Sequence, residues 1–141
     1  MRRTKLARPS SMMANEDKGR RIAQIRRHIE WKERDAARKQ IDQLLAANPN
    51  ERYAHSLLAD LAYDTGDALL SEEQTQWLVT NCPNELNYFA NWVACAFRLG
   101  LSALAMERMQ QFLARWPASS NARLYQEKLT ELEQEVCDCK G

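Results

Sequence analysis

Three equally spaced prolines constrain the fold of this chain more than any other feature of its sequence. Pro49, Pro83 and Pro117 are 34 residues apart, and Gly66 and Gly100 repeat that interval, each 17 residues before a proline. Proline ends a helix because it lacks an N–H and its ring collides with the preceding turn. Glycine suits a tight turn because positive φ costs it little. The spacing therefore predicts a unit of two helices, with glycine at its inner turn and proline near its end.

Apolar residues between these turn signals recur at the three-to-four-residue spacing of amphipathic helices. A weaker first unit precedes the others, and Lys32 stands there in place of the turn glycine. No run of six or more residues alternates between apolar and polar as a half-buried strand would. The sequence therefore predicts an all-α fold of seven helices with short connections. The clearest of them cover residues 51–65, 68–81, 85–99, 102–116 and a last segment after Ser119.

The residues at fixed places in these units resemble the tetratricopeptide repeat family. The unit that starts at Leu86 matches that pattern at Phe89, Trp92, Ala96, Gly100, Ala105, Met109, Phe112 and Pro117. The unit that starts at Arg52 matches at Leu58, Ala59, Gly66, Leu78 and Pro83, and the first unit at Ala37, Ile41, Leu44 and Pro49. Besides Lys32, the residues Ser71 and Thr75 depart from the pattern, since they stand where it prefers alanine and an apolar residue, and Val93 is larger than the small residue that it prefers.

This resemblance implies a TPR-like α-solenoid of about three helix-turn-helix repeats plus a C-terminal capping helix. We expect the helical domain to span residues 17–137. Residues 1–16 are polar and basic, which predicts a disordered N-terminal tail. Residues 138–141 are expected to form a frayed C-terminus.

A narrower resemblance concerns the stretch from Val93 to Leu101 and the amphipathic helix that follows it. This part is similar to the C-terminal part of small tetratricopeptide-type chaperones that hold needle subunits of bacterial type III secretion systems. The resemblance implies a compact helical protein that keeps an aggregation-prone helical subunit soluble before export.

The family resemblance also implies a concave groove lined by the first helix of each unit. We therefore predict a non-enzymatic scaffold that binds a helix or peptide of a partner protein, while self-association into a homo-oligomer stays open. Aromatic and arginine side chains, which are frequent interface anchors, are well represented in the predicted groove. Its residues are Ile22, Arg26, Ile29, Tyr53, Ser56, Asp60, Tyr63, Asp64, Asn87, Ala90, Ala94, Phe97 and Arg98.

Charge is unevenly distributed along the chain. Residues 1–39 carry 13 Lys and Arg against 5 Asp and Glu, whereas residues 40–141 carry 7 against 14. A basic N-terminal segment can attract the phosphate groups of nucleic acid. The alternative function is therefore that of a repeat protein associated with nucleic acid through this segment. A solvated tail and a charged helix face that share one sign would give the same pattern, and the segment has no aromatic residue before Trp31 for base stacking. Its basic residues include Arg2, Arg3, Lys5, Arg8, Arg20, Arg21, Arg26 and Arg27.

The sequence offers little for catalysis, cofactors or metals. His28 and His55 are the only histidines and do not have a metal-ligand spacing, and no glycine-rich phosphate loop occurs. Cys137 and Cys139 are one residue apart, which does not match a zinc knuckle. We therefore predict neither catalytic nor metal-binding residues and no cofactor. No apolar stretch reaches the roughly 20 residues that span a bilayer. Together with the lack of a secretory signal, this predicts a cytoplasmic protein without membrane insertion.

Overall fold

The computed structural model describes the backbone of residues 10–140 and the side chains of residues 16–138. In this range the chain forms seven α-helices and no strand. The helices are α1 (Ser10–Glu30), α2 (Arg34–Ala47), α3 (Arg52–Thr65), α4 (Ala68–Asn81), α5 (Leu86–Arg98), α6 (Ser102–Arg115) and α7 (Ser120–Lys140). Across residues 10–140, no helix combines the length and apolar character needed to cross a membrane.

The 34-residue interval of the sequence recurs in the positions where helices begin. The second helices of the three units, α2, α4 and α6, begin at Arg34, Ala68 and Ser102. The helices α3, α5 and α7 begin at residues 52, 86 and 120. The predicted fold class is therefore confirmed: the described chain is all-α, with three helix-turn-helix repeats followed by a C-terminal helix.

The turn inside each unit has the same backbone conformation in all three repeats. Lys32, Gly66 and Gly100 have φ values of 62°, 77° and 73°. The residue after each of them donates its N–H to a carbonyl five residues back, as in Glu33 to His28 at 2.7 Å and Leu101 to Ala96 at 3.0 Å. This is the hydrogen-bond pattern of a helix that ends in a left-handed residue. Lys32 thus occupies the turn position that the sequence spacing assigned to it.

The end of each unit also repeats its hydrogen bonds. The residue before each proline donates its N–H to the carbonyl four residues back: Asn48 to Leu44 at 2.9 Å, Cys82 to Leu78 at 2.7 Å and Trp116 to Phe112 at 2.8 Å. The following proline has no N–H to continue this ladder, so the helix stops.

The helices form two compact units, one up to Leu61 and the other from Ala62 onward. In unit 1, α1 packs against α2. Apolar side chains from α1, α2 and α3 are withdrawn from solvent there, and removing that surface from water stabilises the fold. The buried residues are Ile25, Ala37, Ile41, Leu44, Ala54, Leu57, Leu58 and Leu61.

In unit 2, each helix from α4 to α7 packs against the next one along the chain. The core contains aromatic rings in contact, since the Phe112 centroid lies 6.1 Å from that of Phe89 and 5.1 Å from that of Trp116. Sulfur and aliphatic side chains fill the space around these rings. The core cluster consists of Val79, Phe89, Val93, Met109, Phe112, Leu129 and Leu132.

Both ends of the helical part differ from the predicted boundaries. Helix α1 begins at Ser10, inside the segment 1–16 that we predict to be a tail. Residues 12–14 are Met, Met and Ala, which are good helix formers and can continue α1 in the N-terminal direction. Helix α7 extends to Lys140, into the segment predicted to fray. The rest of the predicted tail, residues 1–9, and Gly141 lie outside the described residues.

Candidate functional site

An open pocket lies between α5 and α7 in unit 2, and we call it the α5–α7 pocket. Its volume is about 280 Å³. For comparison, an engineered apolar cavity of about 150 Å³ admits benzene. The pocket therefore has room for one large apolar side chain or two smaller ones. Its lining residues are Val93, Ala94, Phe97, Met109, Leu124, Tyr125 and Lys128.

The floor of the α5–α7 pocket is formed by buried core residues, whereas part of its wall is open to solvent. Val93 and Met109 belong to the core cluster of unit 2 and are 1% and 0% exposed. Phe97 is half-buried and packs against that cluster. Leu124 is 61% exposed despite its aliphatic side chain. An apolar depression with such a wall leaves surface that a partner can remove from water.

Tyr125 is held at the wall of the pocket by its contact with the core. Its ring is perpendicular to that of Phe112, with centroids 4.8 Å apart. The Tyr125 phenol is neutral at physiological pH, because its ordinary pKa is about 10 and burial raises that pKa further. The phenol therefore adds a neutral polar group to an otherwise apolar wall.

Arg98 is held in place one residue beyond Phe97 on α5. Its guanidinium carbon lies 4.4 Å from the centroid of the Tyr63 ring, which is a cation–π distance. Its Nη1 donates a hydrogen bond to Ser71 Oγ at 3.1 Å. We predict that Arg98 and Tyr63 share one groove, and the structure brings these two side chains into contact.

Arg98 is hydrogen-bonded to Ser71, which together with Thr75 is a buried polar residue that departs from the repeat pattern. Ser71 and Thr75 are 3% and 2% exposed. Cys95 Sγ lies 3.6 Å from Ser71 Oγ and donates to Thr75 Oγ1 at 3.7 Å. Because Ser71 Oγ accepts from Arg98, its own proton can point to the Cys95 sulfur. Ser71 Oγ and Thr75 Oγ1 are therefore linked through Cys95 Sγ in a buried chain of hydrogen bonds that ends at Arg98.

In unit 1, two of the predicted groove residues of opposite charge interact. The Arg26 guanidinium and the Asp60 carboxylate come from α1 and α3. Asp60 still contacts solvent, yet desolvation by the protein around it raises its pKa, and the positive charge of Arg26 acts in the opposite direction. The net shift is upward, so the ionised form of Asp60 is less favourable in the folded chain than in water.

Tyr53, another predicted groove residue, lies between two cations. Lys18 Nζ is 5.8 Å from the centroid of its ring, and Arg52 Cζ is 4.8 Å from it. Arg52 Nη2 also donates to the Tyr53 hydroxyl at 2.9 Å. Tyr53 is 37% exposed, so this part of α3 presents an aromatic group with positive charge on both sides.

The remaining predicted groove residues are reachable from solvent. Tyr63 is 65% exposed, which excludes a fully buried position for its ring. Arg26, Asp60, Asn87 and Arg98 are exposed as whole residues. The half-buried members are Ile22, Ile29, Ser56, Asp64, Ala90, Ala94 and Phe97. Of the whole predicted set, Ala94 and Phe97 line the α5–α7 pocket.

Sequence reasoning missed the contribution of α7 to this site. Leu124 and Lys128 lie 34 residues after Ala90 and Ala94, which are in the predicted groove. The same interval that defines the repeats therefore identifies them, once it is extended into the C-terminal helix. Tyr125 carries no such signal, because its position in the pocket depends on its packing against Phe112.

Comparison with known proteins does not place the chain in a family, because neither a protein-family model nor a curated protein matches it. Among the side chains that the structure describes, no group of three or more His, Cys, Asp and Glu is placed to hold a metal ion.

Besides the contact of Lys18 with Tyr53, the basic segment contains a cation and an aromatic ring of its own that lie close together. Arg27 Cζ lies 5.9 Å from the centroid of the Trp31 ring, and Trp31 is 62% exposed. Arg21 donates to Gln43 of α2 at 3.3 Å, which orients its side chain along the α2 surface. The basic residues Arg2, Arg3, Lys5 and Arg8 of this segment lie outside the described residues.

Proposed function

We propose that this chain is a non-enzymatic, TPR-like module that holds a helix or peptide of a partner protein in the α5–α7 pocket. The observation that carries the proposal is an open apolar pocket of about 280 Å³ whose wall includes Leu124 at 61% exposure. Burying apolar side chains contributes roughly 25 cal/mol per Å² removed from water. A partner side chain in this pocket would gain that energy against a floor that is already ordered.

The chemistry of the pocket favours binding over catalysis. Its lining consists of apolar side chains, one neutral phenol and the Lys128 amine. General acid–base or nucleophilic catalysis needs a nucleophile within hydrogen-bond reach of a base, and the lining residues include no such pair. That the chain is not an enzyme and takes no cofactor stays a prediction.

The most concrete form of this proposal is a small chaperone similar to those of type III secretion needle subunits. Val93, Ala94 and Phe97, which belong to the stretch that carries this resemblance, line the α5–α7 pocket. Such a chaperone would cover the apolar stripe of a helical subunit until it is exported. A cytoplasmic location belongs to this proposal, and assembly into a homo-oligomer stays open.

A pair of α7 variants tests the proposal. Leu124 and Val136 are both exposed aliphatic residues of α7, at 61% and 46%, and Leu124 lines the pocket. We expect Leu124→Ser to bind the partner about five- to thirtyfold more weakly, and so to capture clearly less of it from the cells that produce the protein, because an anchor contact of about 1–2 kcal/mol is removed. Val136→Ser should capture as much partner as the unmodified chain.

The outcome that contradicts the proposal is equal capture by all three proteins. Circular dichroism and thermal melting must first show that both variants fold as the unmodified chain does. Since both residues are exposed, we expect changes in stability within about 0.5 kcal/mol.

A second candidate function is nucleic-acid binding through unit 1, and the contact of Arg27 with the exposed Trp31 ring favours it. An exposed indole next to guanidinium groups can stack on a base while the cations contact phosphate. Binding of labelled single-stranded RNA over a salt series tests it, because phosphate contacts weaken as salt increases. Unchanged binding of Trp31→Ala, or affinity that does not depend on salt, would rule this mode out.

A further inference from the structure

One cation, Lys128, lines the α5–α7 pocket, and a second, Arg98, follows the lining residue Phe97 in the sequence. Lys128 is part of that lining, and its Nζ is 5.9 Å from the centroid of the Phe97 ring. Arg98 follows Phe97 and lies four residues after Ala94, so these three residues share one face of α5. Residues 62–141 carry 6 Lys and Arg against 11 Asp and Glu. Positive charge at the pocket therefore contrasts with the acidic composition of the unit around it.

Arg98 is ordered before any partner arrives. Stacking on Tyr63 and the hydrogen bond to the buried Ser71 hydroxyl fix the orientation of its guanidinium. A free arginine side chain loses up to about 2 kcal/mol of rotamer entropy when it is immobilised, and this cost is largely met within the folded chain. A guanidinium has five N–H donors, and Ser71 accepts from one of them. The arrangement therefore presents a positioned donor group to a carboxylate.

Lys128 has an acidic neighbour on its own helix. Its Nζ lies 3.4 Å from Glu131 Oε2, and the two side chains are 42% and 64% exposed. An exposed pair three residues apart contributes little, about 0–1 kcal/mol, because water screens it. A partner carboxylate that also buries apolar surface next to Lys128 can therefore compete with Glu131.

Resting on the proposed function, we propose that the partner segment is an acidic amphipathic helix. One large apolar side chain of this helix enters the α5–α7 pocket, and Asp or Glu residues on either side of it pair with Arg98 and Lys128. Charge complementarity selects this occupant over a neutral or basic helix, since a basic helix would bring like charges together at the pocket. The apolar contact supplies most of the affinity, and the two ion pairs favour an acidic helix over a neutral or basic one.

A display library of amphipathic helices with a fixed central leucine and randomised flanking positions tests this proposal on the full chain. We expect the recovered peptides to be enriched in Asp and Glu on both flanks of the leucine. Fluorescence anisotropy with one recovered peptide should give a dissociation constant about three- to fivefold weaker for Arg98→Gln and for Lys128→Gln. Arg123→Gln is the matched control, because Arg123 is an α7 cation that is 90% exposed and is not part of the lining.

The same peptide with glutamine in place of its glutamates separates charge pairing from a general loss of structure. Its affinity should be the same for the unmodified chain, Arg98→Gln and Lys128→Gln. The proposal is overturned if recovered peptides show no acidic enrichment, if no peptide is recovered, or if both variants weaken the glutamine peptide as much as the acidic one. None of these results would explain the loss of natural partner by Leu124→Ser, so the proposed function is judged separately.

Discussion

Lys32 adopts a left-handed conformation with φ of 62°, at the turn position that glycine occupies in the next two repeats. The left-handed region costs an L-residue about 1–2 kcal/mol, because Cβ approaches the following carbonyl oxygen. The hydrogen bonds from Lys32 to Ile29 at 3.1 Å and from Glu33 to His28 at 2.7 Å hold the turn in this form. The first repeat therefore contains a local strain that the other two do not have.

Lys32→Gly is expected to raise the free energy of unfolding by about 0.5–1 kcal/mol. Glycine relieves the strain, although its greater freedom in the unfolded chain offsets part of the gain. Gly66→Ala is the converse control and should lower stability by about 1 kcal/mol, since no atom lies within 4 Å of the added Cβ and only φ opposes it. Urea denaturation measures both, and a destabilised Lys32→Gly would contradict this reading of the turn.

Asp60 gives a stability effect that depends on pH. Its pKa is raised by desolvation, with an opposing contribution from Arg26. When the pKa is higher in the folded state, the stability that the carboxyl contributes is fully present below its unfolded-state pKa. That stability is lost as pH rises through its folded-state pKa. Asp60→Asn should therefore melt at a higher temperature than the unmodified chain at pH 7, and the difference should shrink toward pH 3. A variant that melts lower at pH 7 would show that attraction to Arg26 outweighs desolvation.

At the scale of the helices, Arg108 connects three elements of unit 2. It is 3% exposed on α6, forms an ion pair with Glu72 of α4, and donates from Nη1 to the Trp92 carbonyl of α5 at 2.7 Å. Its guanidinium carbon also lies 4.0 Å from the centroid of the Trp92 ring. The charge of Arg108 is thus paired with Glu72, and its Nη1 also has a hydrogen-bond acceptor. A charged group that is removed from water needs such partners.

Glu72→Ala should destabilise the chain by about 3–5 kcal/mol, because it leaves the buried Arg108 without its counter-charge. Replacing both residues together, as in Glu72→Leu with Arg108→Met, should cost clearly less than Glu72→Ala alone. The exposed pair of Arg123 and Glu127 offers a control, and Arg123→Ala should change stability by no more than about 0.5 kcal/mol. If Glu72→Ala is as mild as Arg123→Ala in thermal melts, Arg108 does not depend on this pair.

The helices themselves were predictable because their end signals are local. Proline and glycine stop a helix through their own backbone chemistry, so α4 and α6 begin at the predicted residues 68 and 102. The start of α1 at Ser10 was not predicted, because helix-forming residues in a polar segment leave no apolar stripe to read. The buried Arg108 was also missed. Its charge suggests a solvent-exposed position, and its burial becomes favourable through the Glu72 carboxylate and the carbonyl and ring of Trp92, which belong to two other helices.

For the molecule as a whole, one part of the candidate site was predictable from the sequence and another part was not. Ala94 and Phe97 were predicted from their place in the repeat, because groove positions recur with the unit. The wall formed by Leu124 and Tyr125 comes from α7, which follows the last proline and lacks the turn signals of a further unit. Leu124 becomes predictable only when the 34-residue interval is extended into α7, whereas the place of Tyr125 depends on its packing against Phe112 of another helix.

Site-specific photo-cross-linking tests the central claim most directly, namely that the α5–α7 pocket holds a partner protein. A photoreactive amino acid is placed at Leu124 in one protein and at Val136 in another, and each is irradiated in the cells that produce the chain. We predict one dominant cross-linked product from position 124, mapped by mass spectrometry to an amphipathic helix of the partner, and none of it from position 136. Equal cross-linking at both positions, or no product at position 124 from a folded chain, would contradict the account.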